Sequence, residues 1–341
     1  MRFSLLSALT TGLMAAGLSD AQAKGTISKG PFPQDLNGLN WKYPFPVEVF
    51  SFVSQAEKVE MAFMDVKPKC RPNGKTAVLF HGKNFCGATW EGTIRALAGK
   101  GYRVIAPDQI GFCKSSKPAG YQFSPKQLVF NTRGLLDAAG VGNVTVIGHS
   151  FGGMLTTTFG LQYPATVDEL VIVNGIGLED YVQKGVPYIP IDQSLTSEAA
   201  STYESIRGYE QRVYYLGEWK EAYDVWVRML VNVYNGSLRD AFVRCQAKIV
   251  DLVLTQPVAH YFKDIKARTL LLIGEKDTTA IGGQWSPPDV AAKLGRFDLL
   301  GPQIAAELPN GHLITFPDEG HSPQISAPEE FHKALLGWLS G

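Results

Sequence analysis

Residues 144–153, Val-Thr-Val-Ile-Gly-His-Ser-Phe-Gly-Gly, constrain this chain more than any other stretch. A β-branched apolar run stops abruptly in Gly148-His149-Ser150-Phe151-Gly152, and a helix-capable run over 154–162 follows at once. The pattern is strand, sharp turn, helix, with a serine at the apex. Such a turn is strained, and the positions two residues to either side must be small so that strand and helix can approach. The serine hydroxyl then stands beyond the strand's carboxyl end. The next N–H opens a helix whose positive end faces any oxyanion formed there. G-x-S-x-G alone recurs by chance, in ordinary tight turns with an incidental serine. The strand-to-helix context separates this instance from those.

Composition narrows the setting. Of 341 residues, 32 are Lys or Arg and 32 are Asp or Glu, so the formal charge is zero. That balance argues against a basic nucleic-acid surface or an anionic-membrane surface. The 45% hydrophobic content is ample for a core, and no fixed-period repeat or low-complexity tract is present. At the N-terminus, Arg2 precedes an apolar, small-residue run to about Leu18, and Ala21-Gln22-Ala23 has the small-x-small form of a cleavage site. Residues 1–23 therefore read as a signal peptide, implying a secreted or periplasmic protein with no membrane span after cleavage. A membrane anchor is the alternative, but the run is short and interrupted by Gly, Ser and Thr.

Along the mature chain, 24–46 is rich in Gly, Pro and Asn and reads as an extended lead-in without regular structure. A strand pair over 47–53 and 59–66 follows. Continuous apolar runs at 76–80, 102–106, 144–149, 170–173, 269–274 and 312–316 alternate with helical patterns. Runs of that kind are strands buried on both faces, so the sheet is mostly parallel and covered by helices on each side. Ligands bind outside the carboxyl ends of such strands. His81, Asp108, Ser150 and Asn174 all follow strand ends and share that rim. The α/β core occupies 47–177 and 267–341. The intervening 178–266 is helical in pattern and heavy in aromatics, and an insertion leaving the sheet at its rim reads as a cap. Trp219, Tyr223, Trp226 and Leu230 are spaced for one helix face. Trp219 and Trp226 are candidates to face a substrate, the alternative being that they pack cap helices together.

A serine hydroxyl needs a base, and the base needs a partner that fixes its tautomer and stabilises its cation. The two late strands end in Asp277 and His321. Of the six histidines, His81 lies in a tight rim turn before Gly82 and reads as structural, His149 lies within the elbow and points away from Ser150, and His321 is the one that follows a late strand on the rim. Asp277 sits farther into its loop than Glu275, and Asp318 is the other alternative. Ser150 as nucleophile, His321 as base and Asp277 as its orienter form the expected triad, with activity rising with pH through the histidine range. The oxyanion needs two N–H donors: Phe151 offers one, and the loop after His81-Gly82 the other, through Lys83 or alternatively Asn84. No His/Cys cluster has metal-ligand spacing and no G-x-G-x-x-G follows a strand, so no metal and no cofactor are expected.

His81-Gly82, residues 107–111 (Pro-Asp-Gln-Ile-Gly), the elbow at Ser150, Asp277 and Gly320-His321 together resemble the α/β-hydrolase superfamily, in the branch that includes small-ester hydrolases, enol-lactonases and cofactor-free haloperoxidases. The resemblance spans nearly all of the mature chain. It implies eight strands, the second antiparallel, with the cap inserted after strand 6. The chain departs from that branch's epoxide hydrolases and haloalkane dehalogenases, which carry aspartate where Ser150 stands. It departs too from its prolyl aminopeptidases, which show Gly-Gly-Ser-Trp-Gly at the elbow. Cys113 stands where the family's rim loop often has glycine. In the resembled fold the loops bearing Cys86 and Cys113 leave neighbouring strands. That implies a Cys86–Cys113 disulfide, with Cys70 and Cys245 unbridged; four free thiols are the alternative.

The function that follows is hydrolysis of a small or medium apolar carboxylic ester or lactone through an acyl-enzyme on Ser150. Phe85 and Ile176 on the rim, with Trp219 and Trp226 above, are expected to hold the substrate, and the Lys83 side chain to be solvated. A lyase, a perhydrolase or an aminopeptidase could use the same triad, Glu204, Glu210 and Glu218 keeping the last open, and a non-catalytic receptor could keep the scaffold. The oligomeric state is not legible.

Overall fold

The computed structural model describes residues 23–341. The proposed leader lies outside the described residues except for Ala23. Among the described residues no helix is long and apolar enough to cross a membrane.

The chain opens with β1 (Gly25–Lys29), a short ribbon of β2 (Asp35–Leu36) and β3 (Leu39–Asn40), and the long pair β4 (Val47–Ser54) and β5 (Glu57–Val66). Then come β6 (Thr76–Phe80), α1 (Glu91–Gly99), β7 (Arg103–Pro107), α2 (Pro125–Ala138), β8 (Val144–His149), α3 (Phe151–Gln162) and β9 (Val167–Val173). Four helices intervene: α4 (Ile191–Ala199), α5 (Tyr203–Tyr209), α6 (Glu221–Tyr234) and α7 (Arg239–Thr255). The α/β pattern resumes with β10 (Arg268–Gly274), α8 (Pro288–Ala291), α9 (Phe297–Glu307), β11 (Gly311–Phe316), α10 (Pro323–Ser326) and α11 (Pro328–Leu339).

The sheet order is β1-β4-β5-β7-β6-β8-β9-β10-β11. β5 runs antiparallel to both β4 and β7, and every pair from β7 to β11 is parallel. All six residues of β8 are buried, as its uninterrupted apolar run requires of a central strand. α3 packs on β6, β8 and β9 and also touches α2, while α1 packs with α11. Ser124 caps α2 by accepting the Gln127 N–H at 3.0 Å, and Pro125 follows at the first helical position, where its missing N–H costs nothing.

Eight of these strands match the expected fold; the ninth corrects the reading of the lead-in. Gly25–Lys29 pairs antiparallel with β4, Gly25 opposite Phe52 and Lys29 opposite Glu48. An edge strand presents unpaired N–H and C=O groups, and an extended segment nearby satisfies them. Five residues of mixed polarity carry too little pattern to announce this. Between β10 and β11 lie two further helices, α8 and α9.

Candidate active site

Ser150 sits between β8 and α3 at φ 55°, ψ −121°. For a residue with a Cβ this backbone is strained, and the neighbours are shaped to hold it. A Cβ on Gly148 would lie 2.1 Å from the Gly152 carbonyl oxygen, and one on Gly152 would lie 2.1 Å from that of Phe80. Only glycine fits at either place, the physical content of the G-x-S-x-G pattern. The Ser150 N–H donates to Val173 O at 3.1 Å, and its carbonyl accepts from Gly153 and Ile176, each at 2.8 Å.

At the ends of the last two strands, His321 Nδ1 donates to Asp277 Oδ2 at 2.7 Å, both side chains fully buried. A carboxylate only accepts, so Nδ1 carries a proton, and in the neutral imidazole the lone pair is then on Nε2. Nε2 is buried and without a hydrogen-bond partner among the described residues. Asp277 is held further by the Thr279 N–H at 2.8 Å and by Asn174 Nδ2 at 2.9 Å. Asn174, just beyond β9 at φ 39°, also accepts the Gly274 N–H at 2.9 Å, which ties the end of β9 to the turn bearing Asp277. The sequence placed Asn174 on the rim without a role.

His149 does more than complete the elbow turn. Its ring lies 4.7 Å from that of His321, its Nε2 is 2.8 Å from His321 O, and Phe85 stacks on its other side at 5.5 Å. Burial above all, and the neighbouring His321 next, hold the His149 imidazole well below the usual histidine range. It is therefore neutral, with its proton on Nε2 facing the carbonyl.

Over Ser150 lies a cavity of about 160 Å³. Phe151, Ile176 and Lys83 line it, as expected. Val250 and Val253 of α7, Tyr209 and Tyr214, and the loop from Thr279 to Trp285 supply most of the remainder. Gly82 brings the loop up against the nucleophile: a Cβ there would lie 3.0 Å from Ser150 Cβ. No hydrogen bond to the N–H of Lys83, or to that of Phe151, is present among the described turns. Three expectations are corrected. Trp219 packs edge-on against Tyr215 and Tyr223 under the Arg207 guanidinium, and Trp226 packs on the same aromatic cluster, so neither reaches the cavity. Trp219 in fact precedes α6, and helix rotation turns Trp226 inward onto the cap's own core. Phe85 is buried behind the site against His149 and Tyr214. The Lys83 ammonium is not solvated: it pairs with Glu198 of α4 at 2.6 Å, inside the same cavity.

Cys86 and Cys113 form a disulfide, Cα atoms 5.8 Å apart, while Cys70 and Cys245 are free. Cys113 adopts φ 42°, the left-handed region in which the family more often has glycine. Asp108 sits between the bridged loops and accepts from Tyr43 Oη at 2.6 Å, Gly87 N at 2.7 Å and Lys114 N at 2.9 Å. Cys86, Cys113 and Asp108 lie close enough to suggest a metal site. With both sulfurs bonded to each other and the carboxylate already accepting three hydrogen bonds, the group has no ligand atoms to give.

The family model described as alpha/beta hydrolase fold matches residues 76–328. A crystal structure of a probable hydrolytic enzyme from Pseudomonas aeruginosa PAO1 is 49% identical, with a TM-score of 0.86, covering 87% of this chain and 95% of that one. The 2-hydroxymuconate semialdehyde hydrolase of Pseudomonas putida is 27% identical over 78% of this chain and 88% of its own length. The enol-lactonase of Burkholderia xenovorans LB400, 16% identical with a TM-score of 0.61 over 83% of this chain and 97% of that one, shares the fold. The elbow, the sheet order and these matches agree: the chain belongs to the α/β-hydrolase fold family, and it is a hydrolase.

Proposed function

We propose that the protein is a serine hydrolase that cleaves a small or medium carboxylic ester or lactone through an acyl-enzyme on Ser150. The observations that carry this reading are a strained Ser150 lining the cavity, and a buried His321 whose Nδ1 is committed to Asp277 and whose Nε2 is bare. In the first step Ser150 Oγ attacks the carbonyl carbon as its proton passes to His321 Nε2. The oxyanion lies between the N–H groups of Phe151 and Lys83, and the Asp277 carboxylate stabilises the imidazolium. The C–O bond to the alcohol then breaks, and the leaving oxygen takes the proton from Nε2. Water repeats the sequence on the acyl-enzyme, giving the acid and restoring Ser150.

The walls formed by Ile176, Val250, Val253 and Ile281 suit a hydrocarbon portion, burial of which is worth about 0.8 kcal/mol per methylene. Aminopeptidase action is disfavoured. Glu198 is the carboxylate lining the cavity, and the Lys83 ammonium already neutralises its charge at 2.6 Å, so a substrate α-ammonium would meet Lys83 as well. The apolar run before Ala23 supports export, to be checked by N-terminal sequencing of protein recovered outside the cytoplasm. Fluorophosphonate labelling with peptide mapping, run beside p-nitrophenyl esters, lactones and aminoacyl nitroanilides, tests the chemistry. Label on Ser150 and fastest turnover of short esters or lactones are expected. Label elsewhere, or nitroanilides turned over fastest, would overturn the reading.

A further inference from the structure

Within the cavity above Ser150 the Lys83–Glu198 pair is an unusual wall. The two side chains are only 17% and 13% exposed, and they join the loop after β6 to cap helix α4 across 115 positions of sequence. Glu198 accepts one hydrogen bond on each oxygen, from Lys83 and from Tyr234, and keeps a further lone pair on each. Lys83 also has capacity left: an ammonium has three donors, and Glu198 is the acceptor it has among the described residues. Two N–H donors are therefore left to whatever fills the cavity. A purely hydrocarbon substrate would strip them of water and leave them without acceptors. A carboxylate brought to Lys83 would meet Glu198 at similar range. The attraction of one and the repulsion of the other nearly cancel, leaving the desolvation of a third charge unfavourable. An ammonium meets the mirror image of this problem. A neutral group that accepts from Lys83 and donates to Glu198 matches the pair without adding charge.

Resting on the serine-ester reading, we infer that the Lys83–Glu198 pair is a substrate subsite for a hydroxyl, and that the substrate class is hydroxy-substituted short esters or lactones. The cavity holds the volume of about five water molecules, so the hydroxyl lies within a few bonds of the scissile carbonyl.

The test compares kcat/KM for p-nitrophenyl butyrate, p-nitrophenyl 3-hydroxybutyrate and the anionic p-nitrophenyl hydrogen succinate, in the wild type, Glu198→Gln and Lys83→Met. The wild type should favour the hydroxy ester over the butyrate by roughly ten- to hundredfold and disfavour the succinate. Glu198→Gln removes the opposing charge while keeping the shape, so the succinate should gain at least tenfold relative to the butyrate. In Lys83→Met the hydroxyl preference should fall toward unity. A wild-type enzyme that hydrolyses all three with equal kcat/KM, or ratios unchanged in Glu198→Gln, would overturn the subsite while leaving the ester reading intact. Turnover of none of the three would overturn the ester reading, and the subsite with it.

Discussion

His149, the residue before Ser150, hydrogen-bonds through Nε2 to the main-chain oxygen of His321, 172 positions away, at 2.8 Å. The elbow and the loop that presents the base are thereby fastened directly to each other. Tyr214 of the cap packs on His321 at 4.6 Å, and its hydroxyl accepts from Asn84 Nδ2 at 3.0 Å, so the cap braces both the histidine and the loop after β6.

His149→Phe keeps the ring's packing and removes the donor, leaving a buried carbonyl unsatisfied. A loss of about 1–3 kcal/mol in stability is expected, with kcat lowered about tenfold as His321 loses its fixed position. Denaturant unfolding and steady-state kinetics check both. Unchanged kcat would mean that the hydrogen bond is structural alone.

Asn174→Asp preserves shape and the acceptor for the Gly274 N–H but sets a second carboxylate against Asp277, where a donor now stands at 2.9 Å. Losing one hydrogen bond to a charged group is worth about 1.5–3 kcal/mol, so kcat should drop by roughly ten- to hundredfold. The pH profile should also move, because the carboxylate pair shares charge beside His321. Full activity with an unmoved profile would remove Asn174 from the site's machinery.

The Cys86–Cys113 bridge closes a loop of sequence separation 27. By chain entropy such a closure stabilises the fold by about 3–4 kcal/mol. Cys86→Ala combined with Cys113→Ala should lower the denaturation midpoint accordingly. Cys70→Ser, at an exposed free thiol, should leave it unmoved.

Glu210 opens the π-helical turn Glu210–Tyr214, fully buried, its two oxygens without partners among the described residues. Burial pushes its carboxyl up from 4.5 to about 8. The folded value lies above the unfolded one, so the unfolded chain binds fewer protons between them. The stability linked to Glu210 is full below pH 4.5 and is lost as pH rises through about 8. Glu210→Gln stays neutral throughout, so its melting temperature should exceed the parent's at pH 8 and approach it at pH 5. Parallel melting curves at both pH values would show a carboxylate that is solvated in the fold.

By itself the sequence determined the sheet, the elbow and the three candidate catalytic residues. Each is written in local pattern: a buried strand is a continuous apolar run, the elbow is a serine between obligatory glycines, and Asp277 and His321 stand at strand ends that must share one rim. The disulfide was legible through the resemblance, which made two loops neighbours. What pairs with what across long separations was decided only in the tertiary structure. Trp219 and Trp226 have helical spacing, but Trp219 lies before α6, and spacing does not say which way the helix turns Trp226; packing set both into the cap. Lys83 found Glu198 of the cap, and His149 found the His321 carbonyl and Asn174 found Asp277, because folding brought distant segments to the same rim of the sheet. Once those polar groups lost water, each needed a partner, and the nearest one with the complementary atom supplied it.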